Sequence, residues 1–163
     1  MIYTYRYASQ LGNITLASDG ESLIGLWFDG QKHFPHKLIS ESTEAELPLF
    51  TQTIKWLNTY FSGKAPDFTP PISLNTTPFR KAIYEILLSI PYGQTMTYDE
   101  IANIIAEQKG IERMSAQAVG SAVGHNPISI IIPCHRVVGA DGSLTGYAGG
   151  LDRKIELLKL EKQ

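Results

Sequence analysis

The sequence of 163 residues contains a single cysteine, Cys134, and this scarcity excludes several kinds of site. One thiol cannot form an internal disulfide, and it cannot build the multi-thiolate sites that hold structural zinc or iron–sulfur clusters. The four histidines, at positions 33, 36, 125 and 135, are too scattered to indicate a metal centre. We therefore expect no metal and no cofactor.

Long apolar runs are also missing. No stretch approaches the roughly 20 apolar residues that a membrane-spanning helix needs. The first twelve residues show no basic segment followed by an apolar one, so we expect neither a signal peptide nor membrane association. These absences favour a cytoplasmic location, where a free thiol stays reduced.

An excess of positive charge, the common sign of a nucleic-acid-binding protein, is absent as well. The chain has 14 basic and 16 acidic residues, and its net charge is −2. Residues 77–163 carry nine of each sign and are neutral overall. Any contact with DNA must therefore depend on local geometry rather than on a strong overall field.

What the sequence does contain is the pattern of an α+β protein in two parts. Residues 2–8 alternate as a strand does, and the Asp19-Gly20 pair between two further apolar segments predicts a hairpin. Apolar residues at helical spacing from Leu49 predict a helix that ends near Gly63. Residues 63–78 have four prolines and no periodicity, so we place a linker there and predict domains at 1–76 and 77–163.

The second part is predicted to be mainly helical. Helix starts are indicated by Thr77 with Pro78, by a Thr97–Glu100 capping box, and by Ser115. Two short helices, about 97–106 and 115–124, form a possible helix-turn-helix, and residues 151–163 form an amphipathic terminal helix.

The helix that begins near Ser115 has almost no bulky side chains. Ala116, Ala118 and Gly120 are typical of it, and glycine inside a helix costs about 0.5–1 kcal/mol relative to alanine. Two interpretations stay open. The small residues allow close helix–helix packing, or they let the helix backbone approach a wide, flat surface such as a nucleic-acid groove.

The stretch IIIPCHRVVG, residues 130–139, surrounds the single thiol. A lone cysteine after three isoleucines is most often an inert core residue. Pro133, however, favours a bend at Cys134, and the adjacent His135 can then converge on the sulfur. Arg136 adds positive charge, which we expect to favour the thiolate. The segment therefore predicts a reactive cysteine.

These residues resemble the O6-alkylguanine-DNA alkyltransferases. The resemblance rests on IPCHRVVG, an upstream Asn126-Pro127, a downstream GYAGG at 146–150, and the motifs TYDEIA, AVGSAVGHNP and LLKLE, from about Thr77 to Glu161. It implies an α+β protein with an RNase H-like N-terminal domain of sheet and helix. The C-terminal domain is then a mainly helical, winged helix-turn-helix-like DNA-binding domain.

The resemblance also implies direct repair of DNA damage. The expected partner is double-stranded DNA containing O6-alkylguanine, with O4-alkylthymine as a weaker substrate, and the protein is expected to act as a monomer. The damaged base is flipped out of the helix because its alkyl carbon cannot meet a protein sulfur inside the stack. Each molecule reacts once, since the thioether product is a very poor leaving group.

Five residues carry catalytic roles by this resemblance. Cys134 accepts the alkyl group, His135 takes the thiol proton through a water, and Glu161 orients the imidazole. Tyr98 donates a hydrogen bond to the flipped base, and Asn126 is the hinge between the second helix of the helix-turn-helix (about 115–124, the recognition helix) and the active-site segment around Cys134. The residues themselves leave other roles open: Tyr98 as a core aromatic, Glu161 as a solvated side chain, and Asn126 as a turn former.

A second group is expected to contact DNA or the flipped base. The recognition helix is expected to enter the minor groove, and Tyr147 to form a wall of the base pocket. The backbone carbonyls of residues 134 and 137 accept hydrogen bonds from the guanine amino group. The backbone N–H of residue 148 donates a hydrogen bond to guanine O6. Arg136 braces the structure or a phosphate. The whole group is Ala116, Gln117, Ala118, Gly120, Arg136, Val137, Tyr147 and Ala148.

The chain departs from the family pattern at two positions. Many members have arginine where this chain has Gln117, and some have serine where it has Ala148. Gln117 is neutral, so we expect weaker DNA contacts there. Two other functions stay open: a non-catalytic alkyltransferase-like protein that only binds lesions, and a Cys–His hydrolase or transferase that acts on small molecules and turns over repeatedly.

Overall fold

A computed structural model describes residues 1–162 and confirms the α+β class. The N-terminal part forms one four-stranded sheet with two helices. Its elements are β1 (Tyr3–Ser9), β2 (Gly12–Ser18), β3 (Leu23–Phe28), α1 (His36–Ser40), β4 (Thr43–Glu44) and α2 (Pro48–Phe61). The strand order is β3-β2-β1-β4, antiparallel except where the short β4 runs parallel to β1.

The hairpin at Asp19-Gly20 is confirmed, although its loop spans residues 19–22 rather than two residues. The Asp19 carboxylate accepts hydrogen bonds from the backbone N–H groups of Glu21 and Ser22, which stabilises the longer turn. The predicted helix from Leu49 is α2, and Gly63 follows it with φ +89°. Nothing in the sequence pattern predicted α1 or β4, which are too short to show a periodicity.

The C-terminal part is mainly helical, as predicted. Its elements are α3 (Pro78–Leu88), β5 (Met96–Thr97), α4 (Tyr98–Lys109), α5 (Ala116–Gly124), β6 (Val137–Val138) and α6 (Leu151–Glu161). All three predicted caps are present: the side chains of Thr77, Thr97 and Ser115 each accept a hydrogen bond from a first-turn N–H. Thr97 and Glu100 form the complete capping box.

The outer edge of β3 joins the two parts. Leu23 exchanges backbone hydrogen bonds with Pro71 and Ser73, at 2.8 and 3.0 Å. Further along, Leu26 does the same with Pro127 and Ser129, both at 2.9 Å. A free strand edge is thereby covered, and the chain just before Cys134 is fixed to the sheet.

The predicted linker has no helix before α3 begins at Pro78 and no long strand, but it is attached to the protein rather than free. Ile72 pairs with Leu23, and Phe68 and Leu74 pack against the core. The boundary between residues 76 and 77 stays a prediction. None of the described helices has the length and apolar character required to cross a bilayer.

Candidate functional site

A cavity of about 350 Å³ opens beside Cys134. Its walls come from the start of α4, from one face of α5, from the loop that precedes α6, and from a loop of the N-terminal part. The lining residues are Lys32, His33, Tyr98, Gly120, Val123, Gly124, Cys134, Thr145, Gly146, Tyr147 and Ala148. Five residues predicted for the site, Tyr98, Gly120, Cys134, Tyr147 and Ala148, therefore meet in one place.

Cys134 begins a single 3₁₀ turn, residues 134–136, and is buried, with 4% of the residue exposed. Pro133 precedes the turn and produces the predicted bend. Burial raises the pKa of the Cys134 thiol to about 11, although hydrogen bonding by Asn126 and the charge of Lys154 act in the opposite direction. At neutral pH the sulfur is therefore a thiol and needs a base before it can attack.

The expectation that Arg136 favours the thiolate is wrong. Its guanidinium is buried and donates to the Glu161 carboxylate at 2.8 Å and to the Ile90 carbonyl at 2.7 Å. The cation that acts on the sulfur is Lys154 of α6. Because Arg136 is held inside the protein by these bonds, it has the geometry of a brace rather than of a phosphate contact.

His135 and Glu161 form a buried pair. The Nε2 atom of His135 lies 2.5 Å from Oε2 of Glu161, and the imidazole has no exposed surface. Since an ionised carboxylate only accepts hydrogen bonds, the imidazole hydrogen is on Nε2. The other ring nitrogen, Nδ1, is buried and has no hydrogen-bond partner among residues 1–162, so it is free to accept a proton.

Burial and the neighbouring charges keep this pair as a neutral imidazole and an ionised carboxylate. Burial lowers the pKa of His135, and the charges of Arg136 and Lys154 lower it further, against the effect of Glu161. Burial raises the pKa of Glu161, but hydrogen bonds from His135, Arg136 and Tyr60 outweigh this effect and hold it well below its usual value. The alternative of a solvated Glu161 is therefore wrong.

Asn126 closes the loop that carries the chain from α5 to the thiol. Its side-chain amide donates to the carbonyls of Ile128 and Ile132, at 3.3 and 2.8 Å, and its side-chain oxygen accepts from the Ile128 N–H at 3.0 Å. Within this loop Ile130 has φ +71°, which is unusual for a β-branched residue. The Asn126 bonds hold this strained backbone in place.

Tyr98 lies at the start of α4, and its hydroxyl accepts a hydrogen bond from the Thr145 hydroxyl at 3.2 Å. The hydroxyl hydrogen of Tyr98 is thus available to a molecule in the cavity. The ring of Tyr147 lies edge-on to His135, with centroids 6.4 Å apart. A Cβ on Gly149 would lie 2.6 Å from the Tyr147 ring, so a glycine at this position leaves space for that ring at the cavity.

Two backbone groups predicted to bind the base have different surroundings. Among the described residues, the Ala148 N–H donates no hydrogen bond, and Ala148 lines the cavity. The Val137 carbonyl, in contrast, already accepts from Lys154 Nζ at 2.6 Å.

Helix α5 has two distinct faces. Val119, Ala122 and Val123 are buried and pack against the core, whereas Gln117 and Ser121 are exposed. Ala116, Ala118 and Gly120 lie between these faces and are half-buried. The buried side of the helix supports the close-packing interpretation, and the approach of its other side to a nucleic-acid groove stays a prediction.

Two functional residues could not be found from the sequence. Tyr60 of α2 donates to Oε2 of Glu161 at 2.6 Å, and Lys154 donates to the carbonyls of Val137 and Thr145 at 2.6 and 3.0 Å. Each stands in an amphipathic helix, where a tyrosine or a lysine is ordinary. Among residues 1–162 no group of three or more potential ligands could hold a metal ion.

Comparison with known proteins gives matches over almost the whole chain. Residues 1–74 match the family model described as 6-O-methylguanine DNA methyltransferase, ribonuclease-like domain, and residues 78–163 match the DNA binding domain of the same family. A methylated-DNA–protein-cysteine methyltransferase of Mycobacterium tuberculosis is 41% identical over 99% of this chain and 93% of its own. One of Haemophilus influenzae is also 41% identical, over 99% of this chain and 87% of its own.

Solved structures agree with these matches. The crystal structure of the Mycobacterium tuberculosis O6-methylguanine methyltransferase has a TM-score of 0.84 at 42% identity, covering 99% of this chain and 93% of that one. The structure of the protein named OGT from the same organism, in complex with DNA, has a TM-score of 0.86 at 42% identity, covering 98% and 93%.

Proposed function

Because the chain belongs to the 6-O-methylguanine DNA methyltransferase family, we propose that it repairs alkylated DNA with Cys134 as the acceptor of the alkyl group. The reaction is irreversible transfer from DNA to a cysteine of the protein itself, so each molecule reacts once. One observation carries the assignment: the chain has a single cysteine, and that cysteine lines a cavity next to a buried His–Glu pair.

The first step is removal of the thiol proton. A thiol with a raised pKa cannot supply much thiolate by itself at neutral pH, so a base is required. His135 Nδ1 is the free acceptor, and it takes the proton through a water between ring and sulfur. Glu161 keeps the other nitrogen protonated and stabilises the imidazolium that forms.

The second step is an in-line displacement at the alkyl carbon. The bond between that carbon and guanine O6 breaks as the bond to Cys134 sulfur forms, and the electron pair of the broken bond remains on the guanine. The Ala148 N–H and the Tyr98 hydroxyl donate to the leaving base and stabilise its negative charge. Water cannot remove the alkyl group from the thioether that forms at Cys134, so the thiol is not regenerated and the reaction ends.

DNA approaches along the exposed side of α5. Gln117 lies there, and the half-buried Ala116, Ala118 and Gly120 leave little side-chain bulk between the helix backbone and a minor groove. The flipped base then occupies the cavity, with Tyr147 as a wall. We propose O6-alkylguanine as the preferred lesion, O4-alkylthymine as a weaker one, and a monomer as the acting form.

The reaction consumes a reduced thiol, so we propose a reducing compartment, the cytoplasm, as its location. A function limited to lesion binding, and a hydrolase function, are both less consistent with the site. Binding alone does not need a cysteine beside a buried base, and a hydrolase needs an intermediate that water can cleave.

The test is incubation with an excess of duplex oligonucleotide that contains one O6-methylguanine, followed by mass analysis of the peptide around Cys134. We expect the mass of one methyl group on that peptide, and none when the oligonucleotide contains guanine. The Cys134→Ser variant is the matched control and should bind the duplex without being methylated. An unmodified Cys134 peptide after saturating exposure rejects the proposal.

A further inference from the structure

Tyr60 connects the N-terminal part of the protein to the proposed proton acceptor. It lies on α2, 101 residues from Glu161 in sequence, and is fully buried. Its ring stacks on Trp56, with centroids 5.4 Å apart and planes 7° apart, and meets the His135 ring edge-on at 6.3 Å. These contacts fix the direction of the hydroxyl.

The Glu161 carboxylate has all of its acceptor positions occupied. Oε2 accepts from the Tyr60 hydroxyl at 2.6 Å and from His135 Nε2 at 2.5 Å. Oε1 accepts from Arg136 Nε at 2.8 Å and from the Gly93 N–H at 3.0 Å. A carboxylate has about four lone-pair sites, so every donor here restrains its orientation.

The Tyr60 hydroxyl lies 3.3 Å from His135 Nε2 and shares with it the Oε2 atom of Glu161 as an acceptor, so the hydroxyl acts on His135 mainly through that shorter bond. A second donor to Oε2 stabilises the ionised carboxylate and makes it a weaker acceptor for the imidazole hydrogen. The other titratable or charged groups around His135 lie on its own turn, on α6 and in the loop before α6. They are Cys134, Arg136, Tyr147, Lys154 and Glu161. Of these groups and Tyr60, two donate hydrogen bonds to the Glu161 carboxylate in addition to His135. They are Tyr60 and Arg136.

We propose that Tyr60 is a positioning residue for alkyl transfer, which holds the Glu161 carboxylate so that His135 keeps its hydrogen on Nε2 and leaves Nδ1 free for the thiol proton. This inference rests on the proposed function. It also gives the N-terminal part a chemical role, because that part supplies one member of the hydrogen-bond network behind Cys134.

The test compares Tyr60→Phe with Tyr92→Phe in single-turnover methyl transfer from duplex DNA. Tyr60→Phe removes one donor from Glu161, so the carboxylate becomes a stronger base and favours protonated imidazole. We expect the rate at saturating DNA to fall by about threefold to tenfold. The acid limb of the rate against pH should move to higher pH by up to about one unit. The DNA concentration that gives half the maximal rate should stay unchanged.

Tyr92→Phe is the matched control. The Tyr92 ring lies edge-on to Tyr60 at 6.0 Å, and its buried hydroxyl has no partner among residues 1–162. Its removal should leave the acid limb where it is. The proposal is overturned if the two variants behave alike, or if Tyr60→Phe slows the reaction with no movement of the acid limb.

A second measurement does not depend on alkyl transfer. In protein labelled with ¹⁵N-histidine, the spectrum of neutral His135 should show the hydrogen on Nε2, and its titration should move to higher pH in folded Tyr60→Phe. A hydrogen on Nδ1 in the unsubstituted protein overturns the arrangement, even if Tyr60→Phe fails to fold. If His135 titrates as expected but Cys134 is not methylated, the result contradicts the proposed function and leaves the arrangement of Tyr60, Glu161 and His135 intact.

Discussion

At the scale of single residues, burial shifts the thiol and its base in opposite directions. The pKa of Cys134 is raised to about 11, whereas that of His135 is lowered. Proton transfer from thiol to imidazole is therefore unfavourable in the free protein, and the resting pair is neutral. A protein that is consumed by one reaction benefits from this arrangement, because a thiol that is not ionised reacts slowly with other electrophiles.

This arrangement predicts slow modification of Cys134 by iodoacetamide. At neutral pH, a pKa near 11 rather than about 8.5 to 9 reduces the thiolate fraction about 100-fold or more, and the rate should rise with pH up to the alkaline range. The measurement is the mass of the protein against time at several pH values, in the absence of DNA. The same chain unfolded in urea is the control, and equal rates for the folded and unfolded protein at neutral pH would contradict the prediction.

At the scale of helices and loops, the sequence predicted features that depend on contacts between residues close together in the chain. The caps at Thr77, Thr97 and Ser115 depend on side chains that bond within three residues, and all three are present. The loop at 128–132 is different. Three consecutive isoleucines ordinarily favour a strand, but Asn126 binds the carbonyls of Ile128 and Ile132 and holds a turn with a positive φ at Ile130.

Helix α5 provides a test of function against stability. A Cβ on Gly120 would lie 3.7 Å from the Tyr98 ring, an ordinary contact, so alanine fits. Gly120→Ala should stabilise the protein by about 0.5–1 kcal/mol through helix propensity. It should also slow alkyl transfer, because the added methyl group stands at the wall of the cavity. Urea unfolding and single-turnover rates measure the two effects.

Ser121→Ala is the control for this test. Ser121 is on the exposed face of α5 and is not among the residues that line the cavity. Its substitution should stabilise the helix slightly and leave the rate unchanged. If Gly120→Ala reacts as fast as the unsubstituted protein, the missing side chain at this position is not required for the reaction.

At the scale of the whole molecule, the site is assembled from parts far apart in the chain. The hydrogen bonds around Glu161 reach back to Tyr60, Gly93 and Arg136, with separations of 101, 68 and 25 residues. Periodicity and capping contain no information about such contacts. The pairing of His135 with Glu161 was expected only through the family resemblance, and the role of Tyr60 was outside that resemblance and required the fold.

Charge is the other property of the whole molecule that affects function. The chain has a net charge of −2, so little general attraction brings it to DNA, and the contacts proposed for α5 matter more. Gln117 is exposed in the first turn of α5 and is neutral, whereas the family pattern led us to expect arginine at this position. The sequence thus lacks one phosphate or base contact that a positive side chain could provide.

Gln117→Arg should therefore bind duplex DNA more tightly and with a steeper dependence on salt. One added phosphate contact makes the slope of log affinity against log salt more negative by about 0.9. The cost to stability should be small, about 0.3–1 kcal/mol, because a cation at a helix N-terminus is unfavourable. Fluorescence polarisation of a labelled duplex at several salt concentrations gives the slope. Ser121→Arg adds the same charge one turn further along the exposed face, and an equal gain from that variant would show that position 117 has no special place in the DNA contact.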